Sequence, residues 1–243
     1  IVINAAMAHQ LNEFKAQIDR LVSDGMEQEE ALYKVLKETI IASQNIRFEG
    51  DGYSDEWKDE AARRGLTNIC HVPEAIMKFN DPQSRSVLIG EKIFNENELN
   101  CRIEVELEKF TKKVQIESRV LGDLAINHIV PTAVIYQNRL LENLRGLKEI
   151  FSTEEYEEMT ADRKDLVREI QRRILSIKKA VHDMTEARKV ANHLGSQVEK
   201  AFSYEEKVRP YLEEIREHID SLELEIDDEI WPLPKYRELL FTK

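Results

Sequence analysis

Apolar residues recur at spacings of three and four along most of this chain, the spacing that lays a stripe on one face of an α-helix. Ile3, Met7, Leu11, Phe14, Ile18 and Leu21 or Val22 form the first stripe, and Gly25 is placed to end its helix. A second helix is expected at once. Glu29 and Glu30 fall in its first turn, where the helix dipole favours acids, and Leu32, Leu36 and Ile40 are its expected buried face. The two should pair as a helical hairpin.

The pattern then breaks at Phe48-Glu49-Gly50-Asp51-Gly52-Tyr53-Ser54, where two glycines permit positive φ and Ser54 can cap a short helix carrying Trp57. Gly65 can close that helix, Pro73 can open another, and Asn80-Asp81-Pro82 interrupts the segment up to Gly90. Residues 48–96 therefore read as short helices and loops, closing a first region over residues 1–96. A second region, 97–243, is expected to be a bundle.

From Asn97 a stripe through Ile103, Leu107, Phe110, Val114, Leu121 and Leu124 continues to Ile150. Pro131 removes a backbone donor and crowds the preceding turn, which predicts a kink near Asn127 to Pro131. Leu166, Ile170, Ile174, Ile177, Val181, Met184, Ala187, Ala191, Leu194, Val198 and Ala201 form a second seam. Ser203-Tyr204-Glu205-Glu206 has the spacing of a capping box, so a third helix is expected to start there and bury Tyr211, Ile215, Ile219, Leu222 and Ile226. The result is an all-α, up-down-up bundle of three long antiparallel helices. At ~1.5 Å per residue a helix near 40 residues long reaches about 60 Å. An arm of that length points to assembly.

Trp231-Pro232-Leu233-Pro234-Lys235-Tyr236 cannot be regular helix, because two prolines one residue apart impose an extended path. Its aromatics need a groove, either on their own bundle or on a neighbouring subunit.

Composition agrees with the helices: 34% of residues are charged, against only 8 Gly and 6 Pro. A net charge of -12 argues against nucleic acid as a partner, since phosphate backbones need clustered Lys and Arg. No run approaches the roughly 18 to 20 apolar residues of a membrane span, and the mean hydropathy is -0.50. Cys70 and Cys101 lack CxxC spacing and read as plain buried thiols in a reducing cytoplasm. The first residue is Ile1 rather than Met, and Ile1 to Leu11 has helical composition without the basic n-region or cleavage site of a secretory signal, so the chain reads as truncated at its front.

Catalytic signatures are missing. Gly50-Asp51-Gly52 lacks the third glycine of a dinucleotide loop, and no P-loop, HExxH or Gly-x-Ser-x-Gly pattern occurs. The residues three before the six histidines are Ala6, Asn68, Ala125, Lys179, Val190 and Ile215, so no Glu-x-x-His metal motif exists. His128, beside the kink, is expected to serve freed carbonyls of the bend rather than a reaction. Glu214 and His218, one turn apart, read as a solvated pair, and Asp51 as a brace for its own turn. No catalytic, cofactor-binding or metal residue is assigned.

Four stretches resemble the C-terminal region of type III glutamine synthetases, the large form of bacteria such as Bacteroides. They are Phe48 to Trp57, continuing through Glu60-Ala61-Ala62-Arg63-Arg64-Gly65-Leu66 to Pro73-Glu74-Ala75; Ile129 to Gln137; Val208-Arg209-Pro210-Tyr211 with Ile215 to Asp220; and Asp227 to Phe241. Ile1 to Phe14 is similar to the closing helix of that family's catalytic domain. The resemblance implies a parent enzyme that condenses glutamate and ammonia using ATP, with Mg or Mn held by carboxylates at a site shared between subunits of a ring. Those motifs would lie upstream of Ile1, so the fragment alone is expected to be inactive and free of cofactors. Its expected partners are the rest of the parent and neighbouring subunits of a homo-oligomer. The expected role is assembly and packing; the alternative is a regulatory module whose residues 48–96 bind an effector or partner. An unrelated free-standing helical scaffold is the third reading.

Overall fold

The computed structural model describes residues 2–240, and among these the regular elements are all helical. The chain divides into two compact units, Ile1–Glu106 and Leu107–Lys243.

In the first unit, helices α1 (Val2–Ser23) and α2 (Gln28–Ala42) pair as the expected hairpin. Gly25, at φ 97°, ends α1 in a Schellman motif: its N–H donates to Val22 O and that of Met26 to Leu21 O. The buried faces differ from those read in the sequence. Ala5 is buried in α1, and Ala31 and Val35 in α2. Ile3, Met7, Leu11, Leu32, Leu36 and Ile40 are exposed, while Phe14, Ile18 and Leu21 are half-buried. Periodicity locates a stripe but does not say what covers it.

Short helices come next, as expected: α3 (Asp55–Arg63), α4 (Val72–Met77) and α5 (Pro82–Gly90). The Trp57 N–H donates to Ser54 Oγ at 3.2 Å, the cap foreseen for α3. Gly65, at φ 75°, closes that helix with a second Schellman motif. Pro73 lies in the first turn of α4, and Pro82 opens α5 instead of merely interrupting a helix.

The second unit holds most of α6 (Glu96–Leu124), then α7 (Val130–Ile150), α8 (Thr153–Asn192), α9 (Gln197–Ser203) and α10 (Pro210–Glu225). A π turn, Ala125–Ile129, joins α6 to α7, and another, Tyr204–Val208, joins α9 to α10. Each leads into a helix that carries proline in its first turn. The Val130 N–H donates to Ala125 O, and the Arg209 N–H to Tyr204 O, each five residues back. The widened turn gives the rings of Pro131 and Pro210 room that a regular turn would deny them. Pro131 thus disturbs its helix where expected.

The bundle is up-down-up, with α8 packed between α6–α7 and α9–α10. Its core runs from Val114 through Ile129, Ile170, Ile177 and Met184 to Ile215 and Leu222. Two boundaries differ from the reading. The second long helix stops at Asn192, so the turn lies at residues 193–196, where Gly195 and Ser196 admit it. Ser203 is buried inside the third rod and caps nothing. The stripe passes unbroken through Leu194, Val198 and Ala201, which hid the turn. A capping box does occur at Ser152, which starts α8 together with Glu155.

Beyond α10 the tail folds back on its own bundle. Trp231 is buried in the core, with Ile230 and Leu233 packed beside it, before a short α11 (Tyr236–Leu239). The second aromatic of that motif, Tyr236, opens α11.

Candidate functional site

The glycine loop is built from local bonds. Asp51 Oδ1 accepts from the Tyr53 N–H at 2.9 Å, and Asp51 O accepts from both the Ser54 N–H and Oγ. Asp51 therefore braces its own turn, as its position in the sequence suggests. Phe48 stacks on Trp57 with ring centroids 4.3 Å apart, and the Arg64 guanidinium lies over the Trp57 ring at 5.6 Å. Arg64 also donates to Arg47 O at 2.8 Å and Glu60 Oε1 at 2.5 Å, and that second bond draws the Glu60 carboxyl below its usual range. The ring of Phe48 sits where a Cβ on Gly50 would fall, 2.7 Å away, so glycine is the residue that fits there. The loop carries Tyr53, 94% exposed, at its tip.

A mostly apolar cavity of about 280 Å³ lies in the same unit, lined by Val2, Ile76, Phe79, Phe94, Arg102, Ile103 and Glu106. Arg102 covers the Phe94 ring at 5.0 Å. The lining is suited to an apolar body, with one cation and one carboxylate among its side chains.

In the bundle the polar groups hold structure together. Tyr204 Oη donates to Asn192 Oδ1 at 2.7 Å, and Gln115 Nε2 reaches both Asn192 Oδ1 and Tyr204 Oη at 3.2 Å. One residue from each long rod meets there, and burial pushes the Tyr204 phenol up from its usual pKa. Arg172 and Arg173 on α8 flank Glu169, and the Arg172 hydrogen bond holds its carboxyl low. His218 reinforces that effect from α10.

His218 is half-buried, with Nδ1 buried and unbonded, instead of standing in a solvated pair with Glu214. A row of residues one turn apart fixes neighbours on a helix but not which of them the next helix covers. His128 is exposed and makes no bond to the carbonyls of the bend, because the π turn closes those itself. Cys70 and Cys101 are exposed free thiols, not buried ones, since both fall on the solvent side of their segments. Sequence reading passed over the Tyr204–Asn192–Gln115 contact; the partners stand 77 to 89 residues from Gln115, beyond any local pattern.

Among the described residues no group of three or more His, Cys, Asp or Glu side chains is arranged to hold a metal ion. No described helix is long and apolar enough to cross a membrane. The charged groups pair mostly one helical turn apart on the surface, an arrangement that supports helices.

Comparison with known proteins adds what the geometry lacks. The glutamine synthetase C-terminal domain family matches residues 31–148. A glutamine synthetase of Bacteroides fragilis is 74% identical across the whole chain, which covers 33% of that protein. A type-3 glutamine synthetase of Dictyostelium discoideum is 27% identical, again over the whole chain and 33% of its own length. A glutamine synthetase of Butyrivibrio fibrisolvens is 28% identical over 90% of the chain and 31% of its length. The chain spans about a third of the length of the relatives it matches.

Proposed function

The chain belongs with the C-terminal region of type III glutamine synthetases, and from that premise we propose that it serves assembly and packing of an ATP-dependent glutamate–ammonia ligase rather than its chemistry. The observation that carries this is the contrast between long, well-packed helices and a chain whose described carboxylates form no cation cluster. Mg or Mn, which the family implies, find no group of three or more His, Cys, Asp or Glu side chains among the described residues, and no step of the reaction is drawn through them or through ATP.

Residues 97–243 supply the rods and residues 1–96 the short-helix region. Partners are the remainder of the polypeptide and neighbouring subunits of a homo-oligomer, with nucleic acid disfavoured by a net charge of -12. Two exposed free thiols fit a reducing compartment such as the cytoplasm.

Deleting residues 97–243 from the full-length enzyme tests the proposal. A fall in the number of subunits per particle by light scattering, with loss of glutamine formation, is expected. An unchanged number of subunits together with unchanged turnover would overturn it. The cavity beside Phe79 and Phe94 favours a second reading, an effector site. Calorimetry of the full-length enzyme with glutamine, nucleotides and dicarboxylates, repeated with Arg102→Ala, decides it; heats unaffected by the substitution remove the effector reading.

A further inference from the structure

Helices α6 and α8 run antiparallel, and two contacts fix their register. Gln115 Nε2 donates to Asn192 Oδ1 at 3.2 Å, and further along, Met184 and Val181 have side-chain atoms 3.5 Å from where a Cβ on Gly122 would stand. One turn forward on α6 is therefore one turn back on α8. Arg119, a turn after Gln115, falls opposite Arg188, a turn before Asn192. Tyr204 lies close to both: burial pushes its phenol up, and the charges of Arg188 and Arg119 pull against that push.

Two guanidiniums facing one another across a seam repel. The chain holds 47 Asp and Glu against 35 Lys and Arg, yet no acid is set between them. Of the positions one turn from either arginine, Asp123 alone is acidic, and its Oδ1 accepts from Asn127 Nδ2 at 2.6 Å. Glu117 and Glu186, on the same stretches of helix, pair with Lys113 and Lys189. Asn192 adds donors to the group. Its Oδ1 accepts from Gln115 and from Tyr204 Oη, which leaves its Nδ2 to donate elsewhere. Arg119 and Asn192 are exposed and Arg188 is half-buried, so the group is open to water.

We infer that Arg119 and Arg188, with the Asn192 amide, form a binding site for a phosphate-type oxyanion at the α6–α8 seam. Two planar guanidinium forks and an amide offer more N–H groups than a single carboxylate accepts, whereas a tetrahedral dianion takes donors on all its oxygens and neutralises both charges. The net charge of -12 does not prevent this. Screening at physiological salt acts within about 8 Å, so an anion at the seam feels the two arginines before the distant carboxylates.

Arginine-specific labelling with phenylglyoxal, followed by peptide mass spectrometry on the full-length enzyme, reads each guanidinium separately, so phosphate bound at any other site does not confuse the result. Arg145, exposed on α7, is the reference. Inorganic phosphate is titrated to about 50 mM against chloride of equal ionic strength. Labelling of Arg119 and Arg188 is expected to fall on one saturation curve, at least about fivefold at its plateau, with Arg145 unchanged. Equal effects at all three overturn the inference, because they report an ion atmosphere. Glycerol phosphate in the same titration separates the sources: stronger protection than by phosphate assigns the anion to an organic ester, and equal or weaker protection to the free ion.

Arg188→Gln is expected to abolish phosphate protection at Arg119 while the number of subunits per particle stays unchanged. Protection that survives the substitution shows that the two arginines do not act together, and overturns the inference. Slow labelling of both arginines in chloride alone, with a fall in subunit number in the variant, assigns them to a neighbouring subunit's carboxylates and also overturns it. Labelling reads two side chains and deletion of residues 97–243 reads the particle, so either idea can fail while the other stands.

Discussion

Lys92 adopts φ 56°, the left-handed region that a side chain with a Cβ enters only at a cost. It occupies the position after α5 that Gly25 and Gly65 hold after α1 and α3. Its N–H donates to Ile89 O and that of Ile93 to Leu88 O, the same closing pair of bonds. The fold needs the turn but the residue does not suit it. Lys92→Gly is therefore expected to stabilise the protein by about 1 kcal/mol, seen as a higher urea midpoint with unchanged slope. A midpoint that falls would mean that the Lys92 side chain makes a contact outweighing its backbone strain. At this scale the sequence was a good guide for Gly25, Gly65, Ser54 and Asp51, whose roles depend on atoms two or three residues away. It was a poor guide for Cys70, Cys101 and His128, whose surroundings come from distant parts of the chain.

Helix α10 ends in a cap that no local motif announces. Its last carbonyls would face the tail unbonded, but Lys235 Nζ donates to Glu223 O at 2.6 Å and Ile226 O at 3.2 Å, and pairs with Asp228 at 2.5 Å. The ammonium stands at the negative end of the helix dipole and is largely shielded from water by the tail. The extended Trp231–Pro234 segment thus has a mechanical purpose: it carries Lys235 back to the helix it left. Lys235→Met keeps much of the side-chain bulk and removes the donors. It is expected to cost about 2 kcal/mol, measured by chemical unfolding, because carbonyls and a carboxylate lose a charge-assisted partner together. A change under about 0.5 kcal/mol would show that water replaces the lysine freely.

At the scale of the bundle, Tyr204 is the polar group on which three rods converge, and its hydroxyl is held neutral by burial. A folded-state pKa above the ordinary value of 10.0 means that the fold prefers the protonated phenol. The stability this contributes is complete below pH 10 and is lost as the pH rises through the folded-state pKa. The protein is therefore expected to weaken steeply in alkali above pH 10, as followed by circular dichroism. Tyr204→Phe is expected to flatten that alkaline limb while lowering stability at neutral pH by about 1 kcal/mol, since Asn192 loses its donor. An identical alkaline limb in the variant would transfer the effect to other tyrosines.

The sequence by itself determined the helical class, the hairpin, the bend before Pro131 and the up-down-up order, because each comes from spacing, proline geometry or capping within a few residues. Family kinship was legible too, in stretches such as Phe48 to Trp57 and Asp227 to Phe241. Only the tertiary structure decided which face of α1 and α2 is covered, where α8 turns back, how far His218 is buried and what the tail does. Burial of a side chain is set by whatever packs over it from elsewhere in the chain. A stripe such as Ile3, Met7 and Leu11 marks one face of a helix, while only the fold shows that these three side chains stand exposed.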